Sequence, residues 1–566
     1  MAIASTSDRT SYDEVPYDSF PFAQSHPNRL ATIAKLFGMQ PAPLATCRVL
    51  ELGCAAGGNL IPLAATMPQA HFKGVDASQR QIAQGSQTIE QLALANIELL
   101  HLDILDFDKD TSHTALRHGI DGELLFDYII CHGVYSWVPD SVQSKILDIC
   151  SQYLSPQGVA YISYNTNPGW RMRGMIRDLM SYRADFFETP DTKTQEARAL
   201  LDFLAAAVPQ DNNPYGMLLN SELQMLRTKA DHYLFHEHLE EHNEPVYFHQ
   251  FIGRAAAQKL QYLGEAEYSM MAAGNFSPNV AAMVRRLASS GADDRDSGGK
   301  PRVSADARRT AEVDPIQLEQ YMDFVRNRMF RQTLLCRADV ALDRNGSPEC
   351  LLDMHIASPA KPDQACEDLH SPQPVVFRRP GSSLTTAEPL VKAAMISLRE
   401  AWPASVSFDD LLTLAIEKLA PGPVLLGADR YRQEAMRIAH PLLNCYGTGH
   451  VDVFVEQFPF SVELGEYPEA SPLARHQAIH SNSVTTLAHS TTQLNDLERR
   501  LLPLVDGQHN QAMLVSALRA DVEDKRLVLR DKGGPVTSDE RATEILNDMV
   551  AKQLHTMAMR CLLLRN

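Results

Sequence analysis

Nowhere in the 566 residues is there a run of about eighteen apolar residues, and Met1 to Thr10 lack a basic stretch followed by an apolar one. Neither a membrane span nor a secretory leader is expected. Cysteine is sparse: nine residues, scattered, with no C-x-x-C pair, which gives no disulfide framework and no thiolate zinc site. Basic residues are outnumbered, 52 Lys and Arg against 70 Asp and Glu, for a net charge of −18. General affinity for nucleic acid or for an anionic membrane is therefore not expected. A reducing compartment, the cytoplasm, is the default. With 44% hydrophobic residues, the chain has material for about three or four domains with real cores.

What is present begins with Val49-Leu50-Glu51-Leu52-Gly53-Cys54-Ala55-Ala56-Gly57-Gly58-Asn59. An apolar strand ends abruptly in small residues, and a helical pattern follows. Small residues let the backbone approach a ligand, and free N–H groups at the helix start favour a carboxylate or other anion. His71-Phe72-Lys73-Gly74-Val75-Asp76 reads as a second strand ending in an acid about twenty residues on, the position of a ribose ligand. A third strand over 96–102 ends at Asp103; Phe126–Gly133 and Gly158–Tyr164 supply a fourth and a fifth. Helical patterns at 78–94 and 141–154 separate them, which predicts a parallel, doubly wound α/β sheet.

A dinucleotide site wants glycines facing a pyrophosphate, whereas this turn carries Glu51 and has Ala55 where the middle glycine would stand. It resembles the first motif of class I S-adenosylmethionine (SAM) methyltransferases, acid-x-Gly-x-Gly-x-Gly, with Ala55 and Ala56 as departures. The resemblance implies SAM as cofactor, held by Glu51, Gly53, Cys54, Ala55, Gly57, Asn59, Asp76, Asp103 and Cys131. Asp103 would lie by the adenine, and the fourth strand would lead to the methyl acceptor.

Farther along, Cys131-His132-Gly133-Val134-Tyr135-Ser136-Trp137-Val138-Pro139, Tyr164-Asn165-Thr166-Asn167-Pro168-Gly169-Trp170, Tyr233-Leu234-Phe235-His236-Glu237-His238-Leu239 and Asp323-Phe324-Val325-Arg326-Asn327-Arg328-Met329-Phe330-Arg331 are similar to bacterial class I methyltransferases that carry a methyltransferase regulatory domain. Members of that family include protein-lysine methyltransferases acting on bacterial outer-membrane proteins. The resemblance implies a protein substrate with an acceptor lysine, and His132, Tyr135, Trp137, Tyr164 and His236 as candidate catalytic residues. Tyr135, Trp137 and Trp170 would wall a lysine channel. A small-molecule methyltransferase is the alternative; a DNA-binding regulator with a vestigial enzyme domain is the second.

The domain reading is an N-terminal arm over 1–44, a SAM-binding core over 45–170, and a helical insertion over 171–244 serving as substrate lid or homodimer contact. Core completion and a regulatory domain with a mobile polar loop at 289–309 would occupy 245–345. A small β element covers 346–389, and a winged-helix-like region 390–566, ending in a strand over 556–564. Strands 351–358 and 374–378 belong to the β element. Within the insertion, His238-Leu239-Glu240-Glu241-His242 matches the metalloprotease pattern H-x-x-E-H, and a helix would put both histidines on one face. The stretch runs into Asn243-Glu244-Pro245 inside a methyltransferase frame, so a polar rim of the acceptor site is expected and no metal.

Overall fold

In the computed structural model, which describes residues 15, 19–109, 125–289, 313–366, 368–420, 422, 427–531, 534–535 and 538–565, seven strands form one sheet. They are β1 (Arg48–Leu52), β2 (His71–Asp76), β3 (Ile97–His101), β4 (Phe126–Cys131), β5 (Leu154–Asn165), β6 (Leu260–Glu265) and β7 (Phe330–Arg337), in the order β3-β2-β1-β4-β5-β7-β6. The first five pair in parallel. The sheet departs from the all-parallel expectation at one edge, where β7 runs antiparallel to both β5 and β6. Apart from Ser289, the polar loop expected at 289–309 lies outside the described residues.

Alternation along each strand sends neighbours to opposite faces. Val49, Phe72, Tyr128 and Tyr161 join one core with the helix Pro27–Leu36 and Leu60–Thr66. Leu50, Val75, Ile129 and Ile162 join the other with Asp140–Tyr153 and Phe248–Ala257. A sheet buried on both faces needs the near-continuous apolar strands found here. The insertion packs Trp170–Ala184, Pro190–Ala207 and Pro214–Leu226 around a core of its own.

Beyond β7 the chain departs from the reading in three places. Residues 348–353 form a short 3-10 helix before the strand His355–Ala357, which pairs with Val406–Ser407 and Asp452–Phe454 from beyond the β element, and Val375–Arg379 belongs to a different three-stranded sheet. Helices Pro389–Ala401, Phe408–Leu419 and Ala428–Gly447 share the first core with β1 and β4 instead of joining a winged helix. The last four helices, from Pro472–His480 to Asp539–Met559, close a separate core with a β hairpin, Ser483–Thr485 and Thr491–Gln493. The expected terminal strand is the end of helix Asp539–Met559, after which Leu563 and Leu564 make only isolated bridges. Among the described residues, no helix is long and apolar enough to cross a membrane.

The antiparallel edge is fixed by charge. Arg331, fully buried on β7, donates to Glu265 (2.6 Å), to Asp323 (2.8 Å, twice) and to Glu319 (3.0 Å), and its guanidinium lies 3.8 Å from the ring centroid of Phe248. Arg328 donates to the second oxygen of Glu265 at 2.6 Å. Three acids share two arginines, and burial pushes the Glu319 carboxyl up to about 7. The Asp323-to-Arg331 motif is thus a clamp between helix Pro315–Arg326 and the sheet edge. Replacing Arg331 by Met strands Glu265 and Asp323, so a loss of about 3–5 kcal/mol is expected, read as a lower urea midpoint. An unchanged midpoint would contradict the clamp.

Candidate active site

The residues that follow the carboxyl ends of β1 to β4 surround a cavity of about 260 Å³. Gly53 and Ala55 come from the turn after β1, Asp76 and Ala77 from the end of β2, Asp103 and Ile104 from beyond β3, and Gly133, Val134 and Trp137 from beyond β4. This is the crevice where ligands bind in open α/β sheets.

The turn is held from several directions. The Gly53 and Cys54 N–H groups donate to the Val75 carbonyl at 2.9 and 3.1 Å. Ala55 N–H donates to Asp76 Oδ2 at 2.8 Å, and Ser78 N–H to Asp76 Oδ1 at 2.8 Å. Ala55 takes a left-handed backbone (φ +49°) without being glycine, which costs of the order of 1 kcal/mol. At Gly53 (φ +75°), a Cβ would sit 2.4 Å from Val134; at Gly58, one would sit 2.3 Å from the Ser19 carbonyl. Gly58 N–H donates to Ser19 Oγ at 2.7 Å, so the arm lies directly on the turn.

Beneath it, Glu51 is almost fully buried. Its Oε1 accepts from Asn59 Nδ2 at 2.8 Å, while Oε2 has no partner. Burial pushes the carboxyl up to about 8, against the opposing Asn59 hydrogen bond. Asn59 Oδ1 accepts from Phe22 N–H (3.0 Å) and from Nε2 of His489 (2.8 Å), 430 residues away. His489 sits at the hairpin tip with φ +55°, its ring edge-on to His26 at 5.1 Å. Burial lowers both imidazoles, His26 to about 3, so the pair is neutral.

Of the residues expected at the cofactor, Gly53, Ala55, Asp76 and Asp103 line the cavity. Glu51, Cys54, Asn59 and Cys131 lie buried in the layer that supports it, and Gly57 (φ +73°) bends the turn. The candidate catalytic residues do not converge. Trp137 lines the cavity and meets Trp170 edge-on at 6.1 Å. Tyr135 is fully buried among Tyr164 and Phe251, and Tyr164 hydroxyl pairs with Thr333 Oγ1 at 3.1 Å. Tyr135 is thus a core side chain and not a channel wall, and Tyr164, a candidate for the amine, is a core side chain as well. His132, half-buried, pairs through Nδ1 with Tyr161 hydroxyl at 2.8 Å and stacks on Phe22 at 3.7 Å; burial lowers its pKa to about 4. His236 is fixed elsewhere, between Glu240 and the Val15 carbonyl, each at 2.7 Å.

The H-x-x-E-H reading fails on geometry. A π-helix ends at Leu239, Glu240 is extended, His238 is buried 3.5 Å from Glu222, and His242 is exposed. The two histidines share no helical face. Among the described residues, no cluster of His, Cys, Asp and Glu is arranged to hold a metal. Gln81, Val134, Val138 and Val142 line the cavity without having been expected there; the recurrence of valine every four residues after His132 was the available signal. His489 offered none.

The two aromatics after β4 should now behave differently. Tyr135→Ala is expected to cost about 3–5 kcal/mol and lower the melting temperature, whereas Trp137→Ala, at the cavity wall, should leave it nearly unchanged. Equal destabilisation by both would place Trp137 in the core as well.

Comparison with known proteins agrees with this geometry. Residues 44–218 match the family model of a methyltransferase domain, 230–295 and 287–337 that of a predicted methyltransferase regulatory domain, and 466–562 that of the PKMT C-terminal winged helix domain. An uncharacterized Rickettsia prowazekii protein is 33% identical over 564 residues, covering 98% of this chain and 94% of the relative. A second from the same organism is 42% identical over 255 residues, 45% of this chain and 97% of the relative. The solved structure of PKMT2 from Rickettsia typhi is 30% identical with a TM-score of 0.81, covering 97% of this chain and all of that one; its complex with AdoHcy superposes with a TM-score of 0.80. Similarity over the whole length, together with the three matched regions of this chain, makes it a member of the PKMT family of SAM-dependent class I methyltransferases.

Proposed function

We propose that the chain transfers the methyl group of SAM to the side-chain amine of a lysine on a protein. The carrying observation is the full-length likeness to PKMT2, whose name denotes a protein-lysine methyltransferase and whose complex holds AdoHcy. SAM supplies an electrophilic methyl on its sulfonium. The residues present fit it. Asp76, which accepts two backbone N–H groups at the end of β2, lines the cavity as a ribose ligand would, and Asp103 lines the same cavity. The partnerless Oε2 of Glu51 suits an ammonium such as that of an amino acid end, which would favour the ionised carboxylate.

An acceptor lysine must react as the neutral amine. From a reference pKa near 10.4, that costs about 4.6 kcal/mol at pH 7, which desolvation and orientation must offset. Trp137, with Trp170 behind it, is assigned to the stem of the lysine. His132, which burial keeps neutral at pH 7, is assigned to the amine. Outer-membrane proteins are the acceptor class that the family resemblance implies, and we place the reaction in the cytoplasm. Tyr182, Phe186 and Phe203, exposed on the insertion, support a homodimer. An acidic chain with net charge −18 favours a winged helix that docks protein instead of DNA.

Incubation with labelled SAM and host lysate, resolved on a gel and hydrolysed to amino acids, tests the reading. Label in discrete protein bands as methyl-lysine is expected. Label confined to the small-molecule fraction would reverse the assignment in favour of a small acceptor.

A further inference from the structure

A cavity of about 530 Å³ lies where three parts of the chain meet, twice the volume of the one at the strand ends and within the usual ~300–1,000 Å³ of small-molecule sites. Helix Pro27–Leu36 contributes Arg29, the sheet that contains Asp452–Phe454 contributes Phe454, and the winged helix contributes Thr486 and Arg560. Its lining carries four aromatics, Trp402, Phe454, Phe458 and Phe460. It also carries Arg29, Arg379 and Arg560 against a single acid, Asp452, in a chain whose net charge is −18.

Two of these arginines are engaged. Arg379 pairs with Asp452 at 3.0 Å and Arg560 with Glu498 at 3.1 Å. Arg29 is not: among the described residues its side chain makes no ion pair or hydrogen bond, and its Nε is shut off from solvent without an acceptor. A buried guanidinium N–H of this kind is costly unless an acceptor arrives. Its planar fork suits a carboxylate or a phosphate, and the aromatic lining suits a flat apolar body.

We propose that this junction cavity binds a small organic anion, a carboxylate or phosphate carried on a planar apolar body, with Arg29 pairing the anionic head. The site is separate from the one at the strand ends. It shares with that site the hairpin tip, since Thr486, Ala488 and Ser490 line it and His489 between them reaches Asn59.

The full-length protein, saturated with AdoHcy so that the strand-end cavity is filled, is titrated with 8-anilinonaphthalene-1-sulfonate as an anionic aromatic probe. Energy transfer from Trp402 is the readout. Saturable transfer is expected, lost in Trp402→Phe, weakened at least tenfold in Arg29→Gln and largely kept in Arg29→Lys. The uncharged N-phenyl-1-naphthylamine should bind at least tenfold more weakly. Phenyl phosphate or benzoate should displace the probe from the wild type, and benzyl alcohol should not, which serves even if Arg29→Gln melts early. Equal affinity of Arg29→Gln, equal binding of the neutral probe, displacement by benzyl alcohol, or no saturable transfer would each overturn the proposal.

Discussion

The structure depends on one tight turn whose backbone donors must all find acceptors. Between Gly53 and Asn59 the chain leaves β1, doubles back under a ligand-sized space and starts a helix, with Ala55 held in a left-handed conformation. Asp76 takes the Ala55 N–H, the Val75 carbonyl takes two more, and Ser19 takes that of Gly58. Each acceptor comes from a different part of the chain than the donor. The end of β2, the arm and the turn are therefore one mechanical unit, and the cavity exists only while they are assembled.

The same logic reaches the C-terminal domain. Glu51 puts a carboxyl into a dry site where burial raises its pKa to about 8, and Asn59 supplies its one hydrogen bond. Asn59 is in turn oriented by Phe22, Ser25 and His489. Burying His489 and His26 side by side is tolerable because both rings are neutral. The winged helix thus functions as a part of the wall behind the first motif. At the opposite edge, the Arg331 clamp plays the corresponding role for β6 and β7.

Much of this was legible because periodicity and turn chemistry are local. β1 to β5, the helices between them, and the acids at the ends of β2 and β3 follow from alternation and from where small residues interrupt it. What was not legible is what distance decides. Tyr135 and Trp137 are two residues apart and both aromatic, yet one faces Tyr164 in the core and the other faces the cavity. Helix Asp539–Met559 runs through a β-prone stretch because its apolar face is buried in the winged-helix core. Helices 389–447 carry the same amphipathic pattern as the C-terminal helices, yet they share the first core with the sheet. His489 carries no motif at all, since its role comes from a contact across 430 residues.

The turn after β1 is completed from the far end of the chain, through His489 and Asn59, and calorimetric titration of AdoHcy into His489 variants tests this most directly. Removing the donor leaves Asn59 Oδ1 one hydrogen bond short in a dry site, a cost of about 1–3 kcal/mol. His489→Ala should bind AdoHcy about tenfold more weakly than the wild type, and His489→Gln, which keeps a donor, should recover most of that loss. Unchanged affinity in a folded His489→Ala protein, or an equal loss in both variants, would contradict the claim.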